Sequence, residues 1–109
     1  MSKSMNKWAE EIHKNAKEHG WWDDERSFGD IVALCHSELS EALEEYRNGE
    51  KLVYFGEGGK PEGIATEMVD CIIRILDWCA KAEVDVDGIM ELKHQYNKTR
   101  PYRHGGKAM

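Results

Sequence analysis

The stretch Ile64–Cys79, IATEMVDCIIRILDWC, decides the fold. Placed on a wheel at roughly 100° per residue it reads as a helix. Ile64, Ala65, Met68, Val69, Cys71, Ile72, Ile73, Ile75, Leu76, Trp78 and Cys79 occupy most of the circumference. Thr66, Glu67, Asp70, Arg74 and Asp77 share the one stripe that is left. A surface helix has the opposite proportions, a limited apolar stripe and a wide polar face. A helix this apolar belongs at the centre of the molecule. Its carboxylates then face a thin strip of water or line an internal site.

Working outward, the periodicity predicts three more helices and no convincing strand, with a short hairpin around LVYF (52–55) as an unadopted alternative. The first runs from about Ser4 to His19, with Met5, Trp8, Ile12 and Ala16 on one face and Gly20 as a stop. A short polar loop, GWWDDER, carries two tryptophans. The second helix starts at Ser27, where Ser27-x-x-Asp30 resembles a capping box, and ends near Asn48. The segment NGEKLVYFGEGGKPEG (48–63) is a glycine-rich loop of a length that is usually functional or mobile. The central helix is expected from about Pro61 to Ala82, with proline at its first position. The last is capped by Asp85 or Asp87 and ends near Thr99, because Pro101 cannot continue it. The expectation is a single all-α domain over 1–109, a four-helix bundle-type core with a basic tail from 100 to 109.

The chain of 109 residues carries a net charge of −6, from 15 Lys and Arg against 21 Asp and Glu. The charge is uneven. From Lys93 onward come Lys93, Lys98, Arg100, Arg103 and Lys107 and no acid, so every acid lies in the body. An acidic body argues against stable nucleic-acid binding, which wants a basic face. No apolar run approaches the ~20 residues that span a bilayer, and the first residues show no apolar secretory segment. Cys35, Cys71 and Cys79 make an odd number with no C-x-x-C, read as buried free thiols of a reducing cytoplasm.

The predicted second helix offers carboxylates to match the central one. In HSELSEALEEY, Glu38, Glu41 and Glu45 share one side, with Glu38 and Glu45 bordering the apolar face of Ile31, Cys35, Leu39, Ala42 and Tyr46. Two helices joined by a moderate loop pack antiparallel, so Glu38-x-x-Glu41 and Glu67-x-x-Asp70 can face each other. Four carboxylates at such a seam repel, and some stay protonated unless cations neutralise them. Oxygen-only ligands favour a hard ion, Mg²⁺ or Mn²⁺. Against this stands the plainer alternative that acids at i, i+3 form a solvated face. The residues alone leave the two evenly matched.

The spacing Glu38-x-x-Glu41 … Glu67-x-x-Asp70 resembles the metal motif of the MazG-like nucleotide pyrophosphohydrolases, in the all-α NTP pyrophosphatase superfamily. KEHGWWDD, HSELSEALEEYR, EMVDCIIRILDWC and VDVDGIMELKHQYNKTRPYRHGGK are similar to segments of its small single-domain members, so the resemblance covers nearly the whole chain. The family often doubles the first acid; Ser37 stands there in this sequence. The resemblance implies a bundle completed by homo-oligomerisation into a dimer or tetramer. It also implies Mg²⁺-dependent hydrolysis of a (deoxy)nucleoside triphosphate to the monophosphate and pyrophosphate, with Glu38, Glu41, Glu67 and Asp70 as metal ligands. Glu41 or Glu45 is then the base that takes the proton from water.

At the basic end, Lys93, Asn97 and Arg100 recur at i, i+4, i+7, and Arg103, His104 and Lys107 follow in the tail. With the resemblance they form a phosphate clamp; without it, a solvated helix face. Trp21 and Trp22 are candidates to stack on a nucleobase, with Asn15 and His13 near the same loop, although core or interface packing is the favoured explanation of either indole. Trp8 and Trp78 are assigned to packing. A di-iron carboxylate bundle would need two Glu-x-x-His motifs. Glu91–His94 supplies one, but His36 has Ala33 three residues before it. A non-enzymatic helical interaction module with an acidic groove, and a phosphoribosyl-ATP type pyrophosphohydrolase, are the remaining alternatives.

Overall fold

The computed structural model of the protein describes residues 2–102. Four helices dominate: α1 (Met5–Glu18), α2 (Phe28–Arg47), α3 (Ile64–Lys81) and α4 (Val86–Lys98). Between α2 and α3 lies a small antiparallel pair, β1 (Tyr54–Phe55) and β2 (Pro61–Glu62), joined by a 3₁₀ turn at Glu57–Gly59. No described helix is long and apolar enough to cross a membrane.

Local chemistry sets the helix ends. The Ser4 hydroxyl accepts from Lys7 N–H, and the α2 capping box is complete: Asp30 N–H donates to Ser27 Oγ at 3.0 Å while Ser27 N–H donates to Asp30 Oδ2 at 3.1 Å. Only α3 departs from expectation. It begins at Ile64, not Pro61, because Pro61 and Glu62 pair with Phe55 and Tyr54. Its N-cap is Gly63 at φ 118°, with no capping side chain. The first α3 amides donate instead to the loop, Ile64 N–H to Lys51 O at 3.2 Å and Ala65 N–H to Leu52 O at 2.9 Å. A Cβ at Gly63 would stand 2.5 Å from Leu52 O, so the approach and the positive φ both require glycine.

Helix α3 packs between α1 and α2. The core is formed by Ala9, Ile31, Ala42, Cys71, Leu76 and Cys79. Helix α4 has no buried residue. It is held at its start by a reciprocal clasp with α1. The Asp87 carboxylate accepts from Met5 and Asn6 N–H at 3.0 and 3.1 Å, and Asn6 Oδ1 accepts from Val86 N–H at 2.7 Å. Asn6 Nδ2 also donates to Asp85 Oδ1 at 2.8 Å. Each helix thus satisfies amides that the other leaves without an intrahelical partner. Asn6→Ala is expected to destabilise the fold by about 1–2 kcal/mol, the usual cost of losing a cap, read as a lower urea midpoint at unchanged slope. An unchanged midpoint would show that the clasp is dispensable.

The expectation that α3 is central holds on two sides only. Met68, Val69, Ile72, Ile73 and Ile75 are 39–48% exposed, because within one chain only α1 and α2 are available to cover the helix. Leu39, Leu43 and Tyr46 on α2 and Ile89, Leu92 and Tyr96 on α4 are exposed as well.

Candidate metal and nucleotide site

The polar stripe of α3 faces the packed helices rather than open water. Glu67, Asp70, Arg74 and Asp77 fall at i, i+3, i+7 and i+10, and all are at least half-buried. On α2, Glu38 is buried at 8% exposure. Glu38, Glu67 and Asp70 each offer a carboxylate oxygen, and these oxygens lie within 4.8 Å of one another. Glu41, on the next turn of α2, is close enough for its charge to act on Glu67. The two acidic pairs read from the sequence therefore meet across the α2–α3 seam.

The repulsion expected of such a group is present. Burial, then the like charges of Glu41 and Asp70, push the Glu67 carboxyl up to about 7. Burial and the Glu38 charge also raise Asp70, partly offset by Arg74 and Lys60. A metal fits this donor set. Mg–O distances of about 2.1 Å put opposite ligand oxygens roughly 4 Å apart, near the spread seen here. All the donors are carboxylate oxygens, the chemistry that Mg²⁺ and Mn²⁺ prefer.

Around the acids lies an open cleft of about 660 Å³. Glu45 lines it, with the Tyr54 hydroxyl donating to both its oxygens at 3.3 and 3.4 Å. Burial and the Glu45 charge raise the Tyr54 phenol above its usual value, which keeps it a donor. Lys60, just before β2, and Glu62 within it also line the cleft.

On the other side of Glu38 and Asp70 is a second cavity of about 400 Å³, lined also by Ala16, His19, Trp21, Ile73 and Arg74. Arg74 Nε donates to Glu38 Oε1 at 2.7 Å, and its guanidinium stands 4.7 Å from the Trp21 ring. Arg26 lies against the same ring at 3.7 Å, while its Nε donates to Trp21 O at 2.9 Å. Trp21 is thus the indole next to the acids. Trp22 has a different place: its Nε1–H donates to the buried Asp77 at 3.0 and 3.1 Å, and His13 Nδ1 lies 2.7 Å from the same carboxylate. Asn15 is exposed and lines neither cavity; its carbonyl accepts from His19 Nδ1 at 2.8 Å.

Lys93, Asn97 and Arg100 are not brought to the acidic cleft of their own chain. Lys93 stands over the Tyr96 ring at 5.2 Å, beside Ile89 and Leu92 in a shallow apolar groove. Arg103, His104 and Lys107 lie outside the described residues.

Arg74, Tyr54 and Lys60 were not among the residues read as functional from the sequence. Arg74 had a signal, its position four residues after Asp70 on the same stripe. Tyr54 and Lys60 had none beyond the unusual length of their loop. Comparison with family models, with curated proteins and with solved structures finds no match to this chain.

Proposed function

We propose that the protein hydrolyses a (deoxy)nucleoside triphosphate to the monophosphate and pyrophosphate with Mg²⁺, Mn²⁺ being able to substitute. The observation that carries this reading is the convergence of Glu38, Glu67 and Asp70 from two helices, with ligand oxygens within 4.8 Å, beside Glu41. The resemblance to MazG-like enzymes supports the same ligand set. Those four residues would hold the metal, which when bound supplies charge neutralisation for the phosphates and an acidified water.

The remaining work falls to this chain's own side chains. Glu45, or Glu41 where it is not engaged, takes the proton from the attacking water. The Tyr54 hydroxyl holds the Glu45 carboxylate in the cleft. Arg74 holds Glu38 by one oxygen and leaves the other to the site. The cavity beside Trp21 and His19 shares Glu38 and Asp70 with the cleft, so a base lodged there keeps its phosphates among the acids. Trp22, tied to Asp77 through its Nε1–H, positions the loop that carries Trp21.

We also place a second copy, as dimer or tetramer, over the exposed apolar faces of α2, α3 and α4. In that assembly Lys93, Asn97 and Arg100 of α4 serve a partner's cleft, since they line none of their own. The test is pyrophosphate release from a panel of canonical and modified (d)NTPs and phosphoribosyl-ATP, with Mg²⁺ and with EDTA. Mg²⁺-dependent release names the substrate. No release from folded protein with either metal would move the acidic-groove interaction module to the front.

A further inference from the structure

We propose that Lys60 is the cation of this chain that binds the terminal phosphates of the substrate. This rests on the hydrolysis proposed above and assigns it a residue. The acidic cleft is lined by seven glutamates and Asp70, and Lys60 is the only basic side chain lining it among the described residues. A triphosphate with about four negative charges cannot enter such a wall unless cations face it. Arg74, the nearest alternative, is committed: its Nε binds Glu38 and its guanidinium packs on Trp21.

The Lys60 ammonium is not committed. It makes no ion pair among the described residues, yet it is close enough to Asp70 to favour that carboxylate's ionised form. Lys60 lines the cleft with eight carboxylates and forms an ion pair with none of them, and its place there is set by its backbone. That backbone is fixed. Lys60 O accepts from Gly56 N–H at 2.8 Å, and Pro61 and Glu62 pair with Phe55 and Tyr54. Thr66 Oγ1 donates to Glu62 O at 3.1 Å, tying the strap to α3, while Tyr54 ties it to α2 through Glu45. The strap therefore holds Lys60 on a fixed backbone in the cleft that Glu38, Glu41, Glu67 and Asp70 line, with its charge felt at Asp70. Lysine suits a phosphate contact of this kind, as a point charge on a flexible stem.

The closing experiment measures binding of Mn²⁺-pyrophosphate to the full chain by calorimetry, for wild type, Lys60→Met and Lys60→Arg, with Mn²⁺ alone followed by EPR. Lys60→Met is expected to weaken Mn²⁺-pyrophosphate at least tenfold and to raise KM for the active nucleotide by a similar factor. Lys60→Arg should stay within threefold of wild type. Mn²⁺ alone should bind Lys60→Met as well as wild type or better. Binding of Mn²⁺-pyrophosphate within twofold of wild type in Lys60→Met overturns the assignment. So does an equal loss of affinity for Mn²⁺ alone, and so does a wild type that binds no pyrophosphate. Lys60-dependent pyrophosphate binding in a protein that releases none from any nucleotide would sink the hydrolysis and leave the phosphate site standing.

Discussion

Glu67→Gln should abolish nucleotide turnover, by a factor of 10³ or more, and at the same time raise the thermal stability of the metal-free protein above pH 7. The two effects have one cause. Glu67 is the carboxylate that pays most for the convergence of the acids, its carboxyl pushed up to about 7 by burial, Glu41 and Asp70. In the unfolded chain it titrates near 4.5. Between those values the folded state keeps a proton that the unfolded state has lost. Stability then falls as pH rises from about 4.5 to about 7. Glutamine keeps the shape and removes the charge, so the slope flattens and the midpoint at pH 8 rises. Turnover is lost because a neutral amide oxygen is a poor replacement for a carboxylate at a hard cation. Circular dichroism establishes that the variant is folded. Near-wild-type turnover would remove Glu67 from the ligand set; lowered apo stability at pH 8 would show that its charge is not the strained one.

The same proton governs metal affinity. A metal must displace it, so Mn²⁺ should bind about tenfold more weakly at pH 6 than at pH 8. At pH 8 the site is already ionised, and at pH 6 about nine molecules in ten must first release the proton. EPR titration of free Mn²⁺ at the two pH values reads this directly. Equal affinities would mean that Glu67 is not a ligand or is already ionised.

The parts of this molecule that follow from periodicity were legible in the sequence. Four helices, the Ser27–Asp30 capping box and the facing of Glu38 and Glu41 towards Glu67 and Asp70 all need only a helical wheel and a loop of moderate length. The β-pair was legible only in part: a short hairpin around LVYF (52–55) was an open alternative, but a strand of two residues has no period to fix it, and Pro61 at a helix start is the commoner reading. The step from the pair into α3 passes through Gly63, where close approach of Leu52 O leaves no room for a side chain. The partition of the two tryptophans was hidden for a related reason. Adjacent residues in a loop diverge by backbone geometry, which sent Trp22 to Asp77 and Trp21 to Arg74. A wheel also counts apolar residues without knowing how many neighbours exist to cover them. It therefore made α3 central, while Met68, Val69, Ile72, Ile73 and Ile75 stay 39–48% exposed in a single chain.

That open surface supplies the second large effect. Ile72→Asp should convert an assembled protein into a monomer and remove turnover, while leaving Mn²⁺ binding to each chain in place. Ile72 is 47% exposed at the middle of the uncovered α3 face, between Met68 and Ile75 one turn to either side. Burying the exposed parts of these side chains and of Leu39, Leu43, Ile89, Leu92 and Tyr96 contributes on the order of 10 kcal/mol per chain at about 25 cal/mol/Å². The two chains of a dimer together bring about twice that, against an association cost of about 4–15 kcal/mol, so the balance favours association when these faces are covered together. In a twofold assembly one substitution appears on both sides of the interface. Two buried unpaired aspartates cost several kcal/mol each, enough to dissociate it. Sedimentation velocity at micromolar concentration tests the state, with Ile72→Leu as the variant that should stay assembled. A monomeric wild type would dismiss the interface. A monomeric Ile72→Asp that keeps full turnover would show that each cleft is complete within one chain, leaving Lys60 and the metal to hold the phosphates without the partner's α4.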